Sequence, residues 1–162
     1  MDAAHNATNH SNNPLWIYST KQYSSAPCRE FLLAAQQQYR LDINILLFIG
    51  WLASNNKGFQ LPPLRASGVF DWQLRVVFPI RELRKRVKKL NTVDFYQHMK
   101  NLELEAEYQE QLKLYQLTNQ MAKQNWAFSK FIQEGCGEYF KDLRQTMDKH
   151  WLQTLTEHLQ PR

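Results

Sequence analysis

Ile45 to Ala53 is a run of nine residues with no charged or strongly polar side chain, and Asp42 and Asn44 stand just before it. The run is too short to span a membrane, which takes about 20 apolar residues. It is also apolar nearly all round, so it does not suit a surface helix with one wet face. A helix from Ile43 to Ala53, capped by Asp42, therefore belongs in the middle of a fold, and the rest of the chain has to wrap it. With 162 residues, 43% hydrophobic and 13% aromatic, the chain is sized for one domain and too apolar to stay disordered. Five Gly and six Pro leave little for phosphate-cradling loops or for the many turns of a sandwich. The expected class is all-α, a single compact bundle of six or seven helices.

Residues 1–12 read as a disordered polar tail and residues 13–162 as one helical domain. Asn13-Pro14 is a cap followed by a residue suited to the first helical position, opening a helix with Leu15, Trp16, Tyr18 and Tyr23. Ser25 and Pro27 repeat the signal for a second helix carrying Cys28, Phe31, Leu32, Ala35 and Tyr39. After the central helix, Leu61-Pro62-Pro63-Leu64 reads as a short stiff connection. Trp72, Val76, Val77, Ile80, Leu83, Val87 and Leu90 then share a helical face, interrupted by Pro79, which should kink or split the helix. Beyond a turn at Asn91–Asp94, a long helix with Phe95, Met99, Leu102, Ala106 and Leu112 is expected to reach about Lys123. A last helical stretch from Trp126 to Leu155 is expected to break at Gly135-Cys136-Gly137.

The net charge of +5 is concentrated. Residues 71–100 carry eight basic and three acidic side chains, centred on Arg81 to Lys89, whereas acids dominate after position 100. A face of Arg84, Lys85, Arg86, Lys88 and Lys89 suits an acidic partner or phosphates. Nucleic acid ranks last, because no recognition motif accompanies the run. The N-terminus has neither a basic nor an apolar segment of a signal peptide. The longest apolar run is too short for a membrane span, so a cytoplasmic location is expected.

Common catalytic plans are missing. There is no GxGxxG, GxxxxGK[ST] or GxSxG. No Glu is followed by a His three residues on, and no two His stand four apart, so di-iron and zinc patterns are absent. Asp94 and His98 are an i, i+4 pair that reads as a solvated face rather than a metal site. Cys136 lacks any neighbouring feature that would activate a thiol. No metal or cofactor is expected, and catalysis is the less favoured reading.

Polar groups that could converge do exist. Arg81 and Arg84 share one helix face, and Glu103 and Glu107 share another. Arg81 stands eleven residues before Thr92 and Glu103 eleven after it, so an antiparallel hairpin sets them side by side. They read either as interhelical salt bridges or as a charged cluster around a ligand. Asp42 and Asn44 could join the cluster, and Trp16, Tyr18, Tyr23, Tyr39, Trp51 and Trp72 could line a pocket beside it or simply fill the core.

Asn13-Pro14-Leu15-Trp16, Tyr18-Ser19 and Tyr23, then Leu41-Asp42-Ile43-Asn44 running into Leu46-Leu47-Phe48 and Trp51-Leu52, form a combination of motifs. It continues through Trp72, Val76-Val77, Pro79-Ile80-Arg81, Leu83-Arg84 and Glu103-Leu104-Glu105-Ala106-Glu107. Over roughly Asn13 to Leu112 this resembles a proteobacterial family of small helical proteins carrying a domain-of-unknown-function label. The resemblance implies a bacterial, cytoplasmic, helical protein and transfers no catalytic or binding residues. Its motif positions include Asp42, Asn44, Arg81, Arg84, Glu103 and Glu107.

Two functions follow as expectations. The favoured one is a non-catalytic adaptor or regulatory protein that binds an acidic protein partner through Lys85, Arg86 and Lys89. The alternative is a small-molecule-binding protein or enzyme using the Arg/Glu cluster beside an aromatic pocket. A polar cluster opening into an apolar cavity would favour the second.

Overall fold

The computed structural model of the chain describes residues 10–90 and 92–162. The expected polar tail lies outside the described residues as far as position 9, and His10–Asn12 form a single 3-10 turn. His10 stacks on Tyr108 with ring centroids 3.8 Å apart.

Asn13 Oδ1 accepts the N–H of Leu15 at 3.0 Å and so caps α1 (Pro14–Tyr23). Helix α2 (Ala26–Tyr39) ends on Arg40 in the left-handed conformation. Asp42 Oδ1 accepts the Ile45 N–H at 3.1 Å and opens α3 (Ile43–Ser54). As its all-round hydrophobicity requires, α3 is the centre of the molecule, packed against α1, α2 and three later helices. Leu46 and Phe48 are fully buried, and Trp51 is half-buried.

The second half is built from α4 (Leu61–Ala66), α5 (Val69–Trp72), a π-turn over Gln73–Val77, α6 (Phe78–Lys88), α7 (Val93–Gln116), α8 (Phe128–Asp142) and α9 (Lys149–Leu159). Because α5, the π-turn and α6 run on without a break, the described residues hold eight continuous helices. There is no strand among them; one isolated bridge joins Lys57 to Lys123. Among the described residues, no helix is long and apolar enough to cross a membrane.

Several boundaries differ from the sequence expectations for physical reasons. Leu61-Pro62-Pro63-Leu64 forms the helix α4 rather than a bare connection, since Pro is tolerated in a first helical turn. Pro79 neither splits nor stops its helix. The missing N–H is absorbed by the π-turn just before it, where Phe78 N–H reaches back to Gln73 O. Helix α7 ends at Gln116, short of Lys123. Gly135-Cys136-Gly137 does not break α8, which runs through it to Asp142; the interruption falls instead between Asp142 and Lys149. Finally, Leu83, Leu90, Phe95 and Leu102 are exposed rather than buried. The α6–α7 hairpin lies against the core only through its lower half.

Candidate functional site

The two arms of the α6–α7 hairpin meet through charge. Arg81 Nε donates to Glu103 Oε1 at 3.0 Å, and Arg81 Nη2 donates to Glu107 Oε1 at 3.0 Å. Arg84 Nε donates to the other Glu103 oxygen. The equal spacing of Arg81 and Glu103 from Thr92 produces this register, and the guanidinium fork suits two carboxylates at once. Arg81 and Glu103 keep only 13% and 11% of their side-chain surface. Burial works against the Arg81 charge, but Glu103 and Glu107 outweigh it and hold the guanidinium above its ordinary range.

The head of α3 brings further polar groups to the same place. Asp42 and Asn44 are buried there. Gln111 of α7 donates from Nε2 to Asn44 Oδ1 at 2.8 Å, and Gln73 of the π-turn donates to Glu110 Oε1 at 2.8 Å. The Asp42 N–H donates to the Tyr139 hydroxyl at 3.0 Å. Burial, followed by the Asp42 charge, pushes the Glu110 carboxyl well above the usual carboxylate range. Asp42 is itself raised by burial, with the Ile45 N–H and Glu110 partly offsetting it. Burial thus works against ionising both of these acids together, as expected for carboxyls in a low-dielectric site. Glu107 is pushed up to about 7, again chiefly by burial, with Arg81 pulling the other way.

Asp42, Asn44, Arg81, Glu107 and Gln111 open onto a cleft of about 400 Å³ bounded by α1, α2, α3, α6 and α7, with Glu110, Gln73 and Tyr139 outside its lining. Trp16, Tyr23, Ile43, Leu47 and Leu104 supply its aromatic and aliphatic wall, and Asp42, Asn44, Arg81, Glu107 and Gln111 its polar end. Ser19 and Gln111 also line it, and Ser19 Oγ and Gln111 Oε1 are buried without a hydrogen-bond partner in the protein. Of the candidates read from the sequence, Trp16, Tyr23, Asp42, Asn44, Arg81 and Glu107 meet in the cleft. Glu103 and Arg84 do not line it; they hold Arg81 in place.

Other candidates fall elsewhere. Tyr18 is a core residue whose hydroxyl donates to the Leu159 carbonyl. With Trp51 it borders a separate groove beside Pro161 and Arg162. The Trp72 indole donates to Ala106 O at 2.9 Å, and its ring lies under Lys113. Tyr39 packs against Trp151. Lys85, Arg86 and Lys89 are exposed, with Lys85 paired to Glu82 at 2.8 Å. Arg84 leaves that basic face, because it is half-buried against Glu103. Asp94 and His98 are exposed on α7, and no group of three or more metal-ligating side chains occurs among the described residues. Cys28 and Cys136 are buried, and burial raises both thiols, which removes them as nucleophiles.

The sequence reading stopped at Glu107 and missed Glu110 and Gln111. The signal was available: continuing three and four residues beyond Glu107 stays on the same face of α7. Ser19 and Arg29 carried no such pattern. A family model described as "Protein of unknown function (DUF2390)" matches residues 14–114, from the start of α1 through most of α7. Every cleft residue lies inside that span. No curated protein and no solved structure matches the chain.

Proposed function

The chain belongs to this family, whose description assigns no activity, and we propose a function from the cleft: it binds a compact organic molecule. The observation that supports the reading is convergence. Arg81, Glu107, Asp42, Asn44 and Gln111 come to one end of a cavity whose other surfaces are Trp16, Tyr23, Ile43, Leu47 and Leu104. Ligand sites combine this apolar wall with a few oriented polar groups and perturbed acids, in volumes of about 300–1,000 Å³. A core built only for stability gains little from so many buried charges. In this reading the location is cytoplasmic and the ligand is a soluble bacterial metabolite.

The test is native mass spectrometry of the protein after incubation with a small-molecule extract. The wild-type chain should retain a low-mass adduct. A variant with the exposed cleft residue Thr20 enlarged, Thr20→Trp, should lose it while keeping the wild-type circular dichroism spectrum. Equal retention by both chains would place the ligand outside the cleft.

A second reading rests on the free end of the hairpin. Leu83, Leu90, Val93 and Phe95 are exposed there, beside Lys85, Arg86 and Lys89. That combination suits an acidic amphipathic segment of another protein, the basic side chains steering it and the apolar ones giving contact area. The adaptor role is thus a proposal for this surface, separate from the cleft.

A further inference from the structure

We infer that the ligand of the cleft is an organic cation, a primary ammonium group on an apolar body. This rests on the reading of the cleft as a small-molecule site and adds the charge of its occupant.

The argument is an inventory of unused hydrogen-bonding capacity at the polar end. Part of the donor capacity there is engaged: Arg81 gives Nε to Glu103 and Nη2 to Glu107, and Gln111 Nε2 is on Asn44 Oδ1. The buried polar atoms of the cleft lining that have no partner are both oxygens. Asp42 and Glu107 line the cleft as carboxyls, and Gln111 Oε1 has no partner although Gln111 is only 2% exposed. The Ser19 hydroxyl, 3% exposed and also unpartnered, can accept or donate. An ammonium brings three donors and no acceptor, and so matches this set. An anion would face Asp42 and Glu107 and would have to strip Arg81 from its partners. Trp16 and Tyr23 supply aromatic faces of the kind that attract cations.

The groups facing Glu107 come from each element around it. They are Arg81 of α6, Glu103 of its own helix, Asp42 at the head of α3 and Tyr23 of α1. Arg29 of α2 also lines the cleft and donates to the Tyr23 carbonyl at 3.4 Å. Arg29 opposes a cation, as Arg81 does, but unlike Arg81 it holds no carboxylate among the described residues, so its removal should favour binding.

Three probes of one shape decide the matter: benzylamine, benzyl alcohol and benzoate. They are titrated separately while the NMR signals of the Trp16 indole and the Gln111 side-chain amide are followed. Benzylamine should bind about tenfold or more tightly than benzyl alcohol, the difference one charge-assisted hydrogen bond makes. Its affinity should rise from about pH 6 to about pH 8, as Glu107 gives up its proton while the amine keeps its own. Glu107→Gln should weaken it and flatten that pH dependence, and Arg29→Gln should tighten it. If benzyl alcohol or benzoate shifts the same signals with equal or higher affinity, the cation assignment is overturned and the cleft reading stands. If none of the three shifts them, both fall. The wild-type series decides between these outcomes even where a variant fails to fold.

Discussion

Gly135 and Gly137 lie two residues apart in α8, and Ala at the two positions should change stability in opposite directions. In mid-helix, Gly→Ala on its own gains about 0.5–1 kcal/mol, because Gly loses more backbone freedom on folding. At Gly137 nothing lies within 4 Å of the new Cβ, so Gly137→Ala should realise that gain. At Gly135 the Cβ would stand 2.9 Å from Ile49 Cγ2 and 3.1 Å from Phe59 Cβ. Carbon atoms normally approach to about 3.5–4.0 Å. Ile49 and Phe59 are 1% and 6% exposed and have nowhere to retreat. Overpacking of this kind costs about 1–3 kcal/mol, so that, net of the propensity gain, Gly135→Ala should be destabilised by up to about 2.5 kcal/mol. Urea denaturation followed by far-UV circular dichroism gives both values from midpoint shifts at constant slope. If Gly135→Ala were as stable as Gly137→Ala, the close approach of α8 to Ile49 of α3 and to Phe59 would not exist.

Three further outcomes are expected. Arg81→Ala and Glu103→Ala should be non-additive by about 1–3 kcal/mol, as contacting charged residues are; coupling near zero would mean that the hairpin arms do not meet through this pair. For Glu107 the folded-state carboxyl is raised from 4.5 to about 7, so its stabilising contribution is complete below about pH 4.5 and is lost as pH climbs through about 7. At about 1.4 kcal/mol per pH unit the loss is capped near about 3 kcal/mol, and the 28% of side-chain surface that Glu107 keeps reduces it further. Glu107→Gln should therefore show a flatter stability profile than wild type between those limits, and parallel profiles would refute the shift. Lys85→Ser/Arg86→Ser/Lys89→Ser should melt within about 0.5 kcal/mol of wild type, as exposed substitutions do. It should also bind a synthetic Glu- and Leu-rich peptide more weakly and with less salt dependence, and unchanged binding would remove this face as a docking surface.

The parts of the site that were legible in the sequence are those set by local periodicity. Arg81 and Glu103 could be paired because a hairpin makes equal distances from its turn equivalent, and Asp42 could be placed because a cap precedes its helix. What was hidden depends on contacts distant in the chain. Glu110 and Gln111 look like the wet side of α7 until the π-turn and the head of α3 meet them. Leu83, Leu90, Phe95 and Leu102 look like core until the hairpin is seen to extend past the elements that would cover them. Gly135 reads as a helix breaker because sequence shows the missing side chain but not the Ile49 side chain that occupies its space.

The two acids of the cleft, with Glu110 buried outside its lining, also bear on why they are there. Asp42, Glu107 and Glu110 are all raised mainly by burial, and each such shift subtracts stability at neutral pH. A fold needs none of this: apolar residues of similar volume commonly replace buried charges at no loss, or with a gain. The Arg81 network offsets part of the cost for Glu107, whereas Glu110 receives one Gln73 hydrogen bond on Oε1 and none on Oε2. Asp42 and Glu107 carry their part of this deficit in the cleft lining, and that part shrinks when a positively charged group enters. An arrangement that is least stable empty and relieved by one class of occupant is the signature expected of a binding site, where stability is given up for a preorganised set of acceptors.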